Sequence, residues 1–323
     1  MKTLINMSNS PMDMDRYENA QQTKDFYESR NLDGYELLLC KAMPDVPEKL
    51  STSNVVGIHL NFTTFWMDLY NKNHNALIKE YGTQEKINEI YGGEDISFLI
   101  DGLKKELLNT QKIGVEYVVF HVSEVSLEEC FTFKQGYTDE EVVLAAADII
   151  NKATEDIDID FYFLVENLWW AGLNFKSQKV TKLLLDKINY HKKGIMLDTG
   201  HLMSTNAEIQ NEEEAVDYVL NVLENHKDLL HYIKGMHFHQ SVSGKYIKET
   251  ISKKHDMPSD YNEKMFKAMM NVFAIDTHSP FTTKRAKEII DYVKPLYLTH
   301  EFVTSDVQEH NKKLDTQINA IGG

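Results

Sequence analysis

The chain has 323 residues, of which 42% are hydrophobic and 26% charged, with a formal net charge of −16. That is enough apolar material for a large buried core, and the length suits an α/β barrel, which routinely exceeds 250 residues as one unit. So negative a balance argues against a nucleic-acid-coating surface, and three arginines, Arg16, Arg30 and Arg285, leave few planar clamps for phosphate.

Short β-rich runs alternate with longer helical patterns along the chain. Residues 2–7 read as a first strand and 12–30 as a polar helix. Strands follow at 35–40 and 55–62, then a helix over 97–111 with apolar residues at helical spacing. A fourth strand at 117–122 precedes a helix over 139–153, and a fifth at 161–165 precedes a helix over 180–188. A sixth strand at 194–197 leads into a long helix over 212–230, and a seventh runs over 233–239. Residues 241–280 break the rhythm and are expected as an extended loop region. A helix over 282–293, an eighth strand at 296–299 and a closing helix over 305–320 complete the pattern.

Eight strands alternating with helices predict a parallel sheet. Tyr117-Val118-Val119-Phe120 and Phe161-Tyr162-Phe163-Leu164-Val165 are apolar on both faces, as a sheet covered by helices requires. No Gly-x-Gly-x-x-Gly follows the first strand, so the dinucleotide-binding open sheet has no support. The expected fold is α/β, a single (β/α)8 TIM barrel over residues 1–323. Cys40 and Cys130 match no motif spacing, which points to a reducing, cytoplasmic setting. Residues 1–15 do not read as a signal peptide, and no run of about twenty apolar residues predicts a membrane span.

The chemistry is written at the strand ends. Strand three delivers His59 near its end, strand four His121 and strand five Glu166-Asn167. Strand six ends in Asp198-Thr199-Gly200-His201, strand seven in His237-Phe238-His239 and strand eight in His300-Glu301, while the long segment supplies Asp276-Thr277-His278. In a barrel these ends converge on one mouth. Imidazole and carboxylate together suit a divalent cation, zinc first, with manganese or iron as alternatives and one to three ions in all. Taken singly, His59 and His121 are more often packed or solvated histidines, Asp198 could cap the next turn, and Asp276 and His278 could be solvated loop residues. A carboxylate at the apolar end of strand five, Glu166, is harder to explain without a partner. Gly200 is expected to permit a sharp bend that turns Asp198 and His201 to the same centre. His239 shares a face with His237 and could support a ligand or face substrate, whereas alternation turns His300 away from Glu301.

These residues resemble the xylose isomerase-like barrel superfamily and, within it, the endonuclease IV branch. The stretch Met196-Leu197-Asp198-Thr199-Gly200-His201 is similar to that branch's Asp-Thr-x-His signature, and Asp276-Thr277-His278 to its Asp-x-His. The resemblance implies three zinc ions on nine ligands: His59, His121, Glu166, Asp198, His201, His237, Asp276, His278 and Glu301. It implies metal-assisted hydrolysis of a phosphoester, with Glu166 and Glu301 as the catalytic carboxylates. The sequence departs from the branch after His59, where Leu60-Asn61-Phe62 follows, and after His237, where Phe238-His239-Gln240-Ser241 replaces His-x-Asn-Asp-Ser-Lys. Glu166, Asp198, His237 and Glu301 also look like the smaller one-metal set of the sugar isomerases and epimerases. Trp66, Trp169 and Trp170 could then wall a sugar pocket or simply pack loops on the rim. The expected partner is a small sugar or phosphoester. Nucleic acid is not favoured by charge, although Lys245, Lys248, Lys253 and Lys254 form either a phosphate-facing loop or a solvated one.

Overall fold

The computed structural model describes residues 1–40, 45–61 and 63–322. Eight parallel strands close into a barrel: β1 (Lys2–Ser8), β2 (Gly34–Leu38), β3 (Val55–His59), β4 (Tyr117–His121), β5 (Tyr162–Glu166), β6 (Lys193–Asp198), β7 (Ile233–Phe238) and β8 (Tyr297–His300). Each strand pairs with its neighbours in chain order, and β1 pairs with β8 to seal the ring. The (β/α)8 barrel expected from the alternation is the fold. The third strand stops at His59, and Phe62, the last residue of its expected span, lies outside the described residues.

The principal helices are α1 (Ala20–Glu28), α2 (Ile96–Ile113), α3 (Asp139–Thr154), α4 (Gln178–Lys187), α5 (Glu212–Asn225), α6 (Gly244–Ser252), α7 (Tyr261–Ile275), α8 (Ala286–Val293) and α9 (Val307–Ile321). Side-chain caps start seven of the nine, all but α6 and α8. In α3, Thr138 and Glu141 form a reciprocal capping box that satisfies otherwise orphaned amides. Three shorter helices, Met67–Tyr70, His74–Tyr81 and Gln84–Tyr91, fill the connection from β3 to α2, where the sequence pattern predicts none. The segment 241–280 is not a loop but mostly α6 and α7, pinned at its base by a bridge between Gln240 and Ser279.

Period-two alternation sorts the strand residues. Ile5, Leu37, Ile58, Val118, Phe163, Ile195, Met236 and Leu298 point outward into the main core against the helices. Leu4, Val56, Tyr117, Val119, Leu164, Met196 and Tyr297 form a separate cluster that plugs the barrel interior. The plug depends on close approach: a Cβ on Gly57 would lie 2.2 Å from the Tyr117 ring, so only glycine leaves room for that ring. A third cluster closes over the mouth. It joins Val125, Leu127, Phe131, Trp169 and Trp170 from the loops after β4 and β5 to Ile247, Ala268 and Ile275 from α6 and α7. No helix among the described residues is long and apolar enough to cross a membrane.

Candidate metal centre

The interior parity that places Leu164 in the plug brings Glu166 to the barrel axis one step higher. Its carboxylate is fully buried and sits in the middle of a ring of imidazoles. Oε2 lies 3.2 Å from His59 Nε2 and 3.0 Å from His121 Nε2. Oε1 lies 3.2 Å from both His201 Nδ1 and His237 Nδ1. Burial pushes this carboxyl up, but the neighbouring imidazoles, His121 and His237 foremost, outweigh it and hold Glu166 well below the usual carboxylate range.

Asp198 serves two tasks at once. Its Oδ1 accepts the backbone N–H of His201 at 2.6 Å and so caps the one-turn helix Thr199–Met203. Its Oδ2 faces inward, 2.9 Å from His239 Nε2 and 3.8 Å from His237 Nδ1. Asn167 locks the two strands at this level: its amide donates to Asp198 O, and its Oδ1 accepts from Asp198 N. Gly200 is not a bend residue. It sits inside the one-turn helix, and a Cβ there would meet His239 Cε1 at 2.1 Å, so the glycine exists to admit that ring.

The end of α7 delivers the remaining pair. Asp276 caps the helix C-terminus, takes a hydrogen bond from Ser241 Oγ at 2.8 Å, and lies 3.1 Å from His201 Nε2 and 3.3 Å from His278 Nδ1. His278 holds a left-handed backbone, φ 44°, a conformation that costs a β-carbon residue free energy and persists where surrounding contacts fix it. Glu301, just beyond β8, places Oε2 3.1 Å from His237 Nδ1 and 3.8 Å from His239 Nε2, yet that oxygen makes no hydrogen bond.

All nine sequence-predicted residues therefore meet at the mouth. Among the described residues, three groups present donor atoms within 4.8 Å of one another: His59, His121 and Glu166; Glu166, Asp198 and His237; and His239, His278 and Glu301. The residues fit divalent cations. Buried imidazoles and carboxylates are the zinc donor set, and a buried oxygen without a hydrogen bond, as on Glu301, needs a compensating charge. Protonation follows the same logic. Burial lowers His121 and takes His278 down to about 4, leaving both in the neutral, ligating form. Burial opposes the charge on His237 and His201, but the facing carboxylates win and raise both well above the ordinary imidazole value.

One functional residue escapes a reading of strand ends. Glu36, inside β2 and beside a register shift in the β2–β3 ladder, holds Oε1 2.7 Å from His237 Nε2, and its Oε2 accepts from Tyr117 Oη at 2.6 Å. It fixes which ring nitrogen of His237 faces the centre. The signal is a single acid in an otherwise apolar strand, since a buried carboxylate requires a partner. Trp169 and Trp170 pack in the cluster over the mouth, with the Trp169 ring centred 5.3 Å from that of His201, while Trp66 donates its indole N–H to Ser123 O and lines a cavity together with His121. Three of the four lysines on 245–254 pair with acids on an exposed face, Lys248 with Glu208, Lys253 with Glu249 and Lys254 with Asp256. That is a solvated surface rather than a phosphate cradle.

No family model matches the sequence, and no curated protein matches it. Solved structures do. Endonuclease IV from Thermus thermophilus superposes with a TM-score of 0.54 at 14% identity, covering 100% of this chain and 99% of that one. The IOLI protein with a bound zinc atom gives 0.54 at 12% identity, covering 100% and 98%. A D-tagatose 3-epimerase-like protein gives 0.51 at 12%, covering 100% and 97%. At such identities the likeness is one of architecture: the chain has the (β/α)8 barrel shared by endonuclease IV, IOLI and the D-tagatose 3-epimerase-like protein, and the resemblance read from its motifs is met at the level of the fold.

Proposed function

We propose that this barrel is a metal-dependent hydrolase of phosphoesters, with zinc as the first-choice ion and manganese or iron as alternatives. The observation that carries the proposal is the sharing of Glu166 between two adjacent donor groups, with a third group alongside. A one-metal centre would use Glu166, Asp198, His237 and Glu301 and would have no need of His59 and His121, whose Nε2 atoms lie 3.1 Å apart. When bound, such ions polarise phosphoryl oxygens and lower the pKa of a coordinated water toward ~7.

The protein's own groups divide the remaining work. Glu166 stays ionised among its imidazoles and positions them. Without cations burial pushes Glu301 up to about 7; with ions beside it the carboxylate would be held ionised and would orient an attacking water. The cluster over the mouth limits bulk water around these groups. The favoured substrate is small, because the net charge of −16 opposes a long polyanion. Cys40 and Cys130 are both free thiols, in keeping with the cytoplasmic setting we propose. The test is metal content by mass spectrometry with turnover of a small phosphodiester. Two or more ions per chain, and activity lost on chelation, are expected. A single ion per chain with no phosphodiester turnover overturns the reading.

A second reading, sugar isomerisation or epimerisation, has one specific observation behind it. His237 Nδ1 lies 3.2 Å from Glu166 and 3.1 Å from Glu301, so the smaller one-metal set is also assembled. In that case the two glutamates would move a proton on and off carbon. Exchange of a carbon-bound ketose hydrogen with solvent is its expected mark, and no exchange across a ketose panel removes it.

A further inference from the structure

We infer that His239 is itself a metal donor, and that the third cation pocket of this barrel is built from His239, His278 and Glu301. The inference rests on the multi-metal reading above and assigns a role to a residue outside the nine ligands that the motifs suggested.

His239 lies one step beyond β7 on the same face as His237, and it is fully buried. Its ring stacks on His278 with centroids 4.4 Å apart and planes 12° from parallel. Nε2 sits 2.9 Å from Asp198 Oδ2 and 3.8 Å from Glu301 Oε2. Two atoms here have no hydrogen-bond partner although both are buried: His239 Nδ1 and Glu301 Oε2. Nδ1 turns toward Asp276, 3.9 Å from its Oδ1, and Nε2 toward Glu301, while His239, His278 and Glu301 each present a donor atom within 4.8 Å of the others, a grouping that a cation satisfies.

The alternative third pocket, His201 with Asp276 and His278, lacks such orphans. His201 Nδ1 lies 2.9 Å from Asn167 O, and its Nε2 lies 3.1 Å from Asp276 Oδ2. The other Asp276 oxygen accepts from Ser241 Oγ. These groups are already matched to each other and read as a brace that aims Asp276, and through it His278, at the pocket. The chain also keeps space for His239 specifically, because any side chain at Gly200 would overlap its imidazole. In this arrangement Glu301 is shared between the second and third pockets, as Glu166 is between the first and second.

The test uses zinc-loaded full-length protein. Anomalous diffraction at the zinc edge is expected to show a peak about 2.0–2.1 Å from a His239 ring nitrogen. His239→Asn, which keeps a group able to donate to Asp198, is expected to hold one zinc fewer per chain while still unfolding cooperatively. Gly200→Ala, which displaces the ring without deleting it, is expected to lose the same zinc. A third zinc on His201, Asp276 and His278, with His239 out of bonding distance and the zinc count of His239→Asn unchanged, overturns the inference but leaves the hydrolase reading intact. A single zinc on Glu166, Asp198, His237 and Glu301 overturns both.

Discussion

At the scale of single residues, the centre is a set of acids and imidazoles that neutralise one another and whose protons bound cations would replace. His237 shows this most directly. One ring nitrogen faces Glu36, the other faces Glu166 and Glu301, and these carboxylates hold the ring well above its ordinary pKa. The carboxylates favour the protonated form of both His237 and His201, so a metal that binds between these groups competes with protons. Zinc affinity is expected to fall as pH is lowered from about 8 to 6, with proton release visible as a buffer-dependent binding enthalpy in titration calorimetry. Binding without proton release would contradict the assignment. Glu36 is the second test at this scale. Glu36→Gln keeps the shape but removes the negative charge that orients His237, and outer-shell changes of this kind typically cost about 10–100-fold in metal affinity. Chelator competition reads that loss, while thermal unfolding checks that the barrel survives. An unchanged affinity would reduce Glu36 to a packing role beside Tyr117.

At the scale of elements, strands and helices are legible to different degrees. Strand ends can be read because alternation is rigid: once Leu164 faces the plug, Glu166 must face the axis. Glu36 escapes because it lies partway along β2, below the rim, where a reading of strand ends does not look. The helices Met67–Tyr70, His74–Tyr81 and Gln84–Tyr91 span too few residues for a 3.6-residue period to emerge. α7 hides for the opposite reason. Its outer face carries Met265, Phe266, Met269, Met270 and Phe273, all exposed, while Ala268, Asn271 and Ile275 are buried, so no polar stripe marks a surface helix. This element still matters to the site, because its last turn runs straight into Asp276. Ile275 is fully buried in the cluster over the mouth and anchors that turn. Ile275→Ala removes buried methylenes at a cost of about 2–5 kcal/mol. We expect part of that cost to fall on the α7 connection, loosening Asp276 and His278 while the barrel strands keep their hydrogen-exchange protection. Chelator competition should then show one weakened zinc and two unaffected ones. Equal weakening of all three would mean that α7 and the barrel open as one unit.

At the scale of the whole molecule, charge decides both what the protein accepts and what holds its centre together. The chain carries −16 overall, and three of the four lysines on 245–254 are already paired with acids. Duplex DNA is expected to bind weakly or not at all at about 0.15 M salt, in contrast to proteins that gain affinity by releasing counterions. Tight binding that weakens steeply with added salt would reverse this. The same excess of acids sets the response to metal removal. Glu36, Glu166, Asp198, Asp276 and Glu301 share one buried centre, where imidazoles face them and, without cations, protonated imidazole supplies the positive charge among the ring residues. The folded-state pKa values of His201 and His237 are raised, so their stabilising contribution is complete below the unfolded value near 6.5 and fades as pH climbs through the raised values. Bound metal has the opposite trend, since ligation strengthens as imidazoles deprotonate. Each ion held at a hundred times its dissociation constant contributes about 2.7 kcal/mol, and roughly 2–4 °C of Tm accompanies each kcal/mol in chains of this order of size. Calorimetry with and without a chelator should therefore show a Tm loss of several degrees per ion at pH 8.5 and a distinctly smaller loss at pH 6.5, with zinc restoring both. A loss that is equal at the two pH values, or greater at the lower one, would mean that the imidazoles do not stand in for the missing cations.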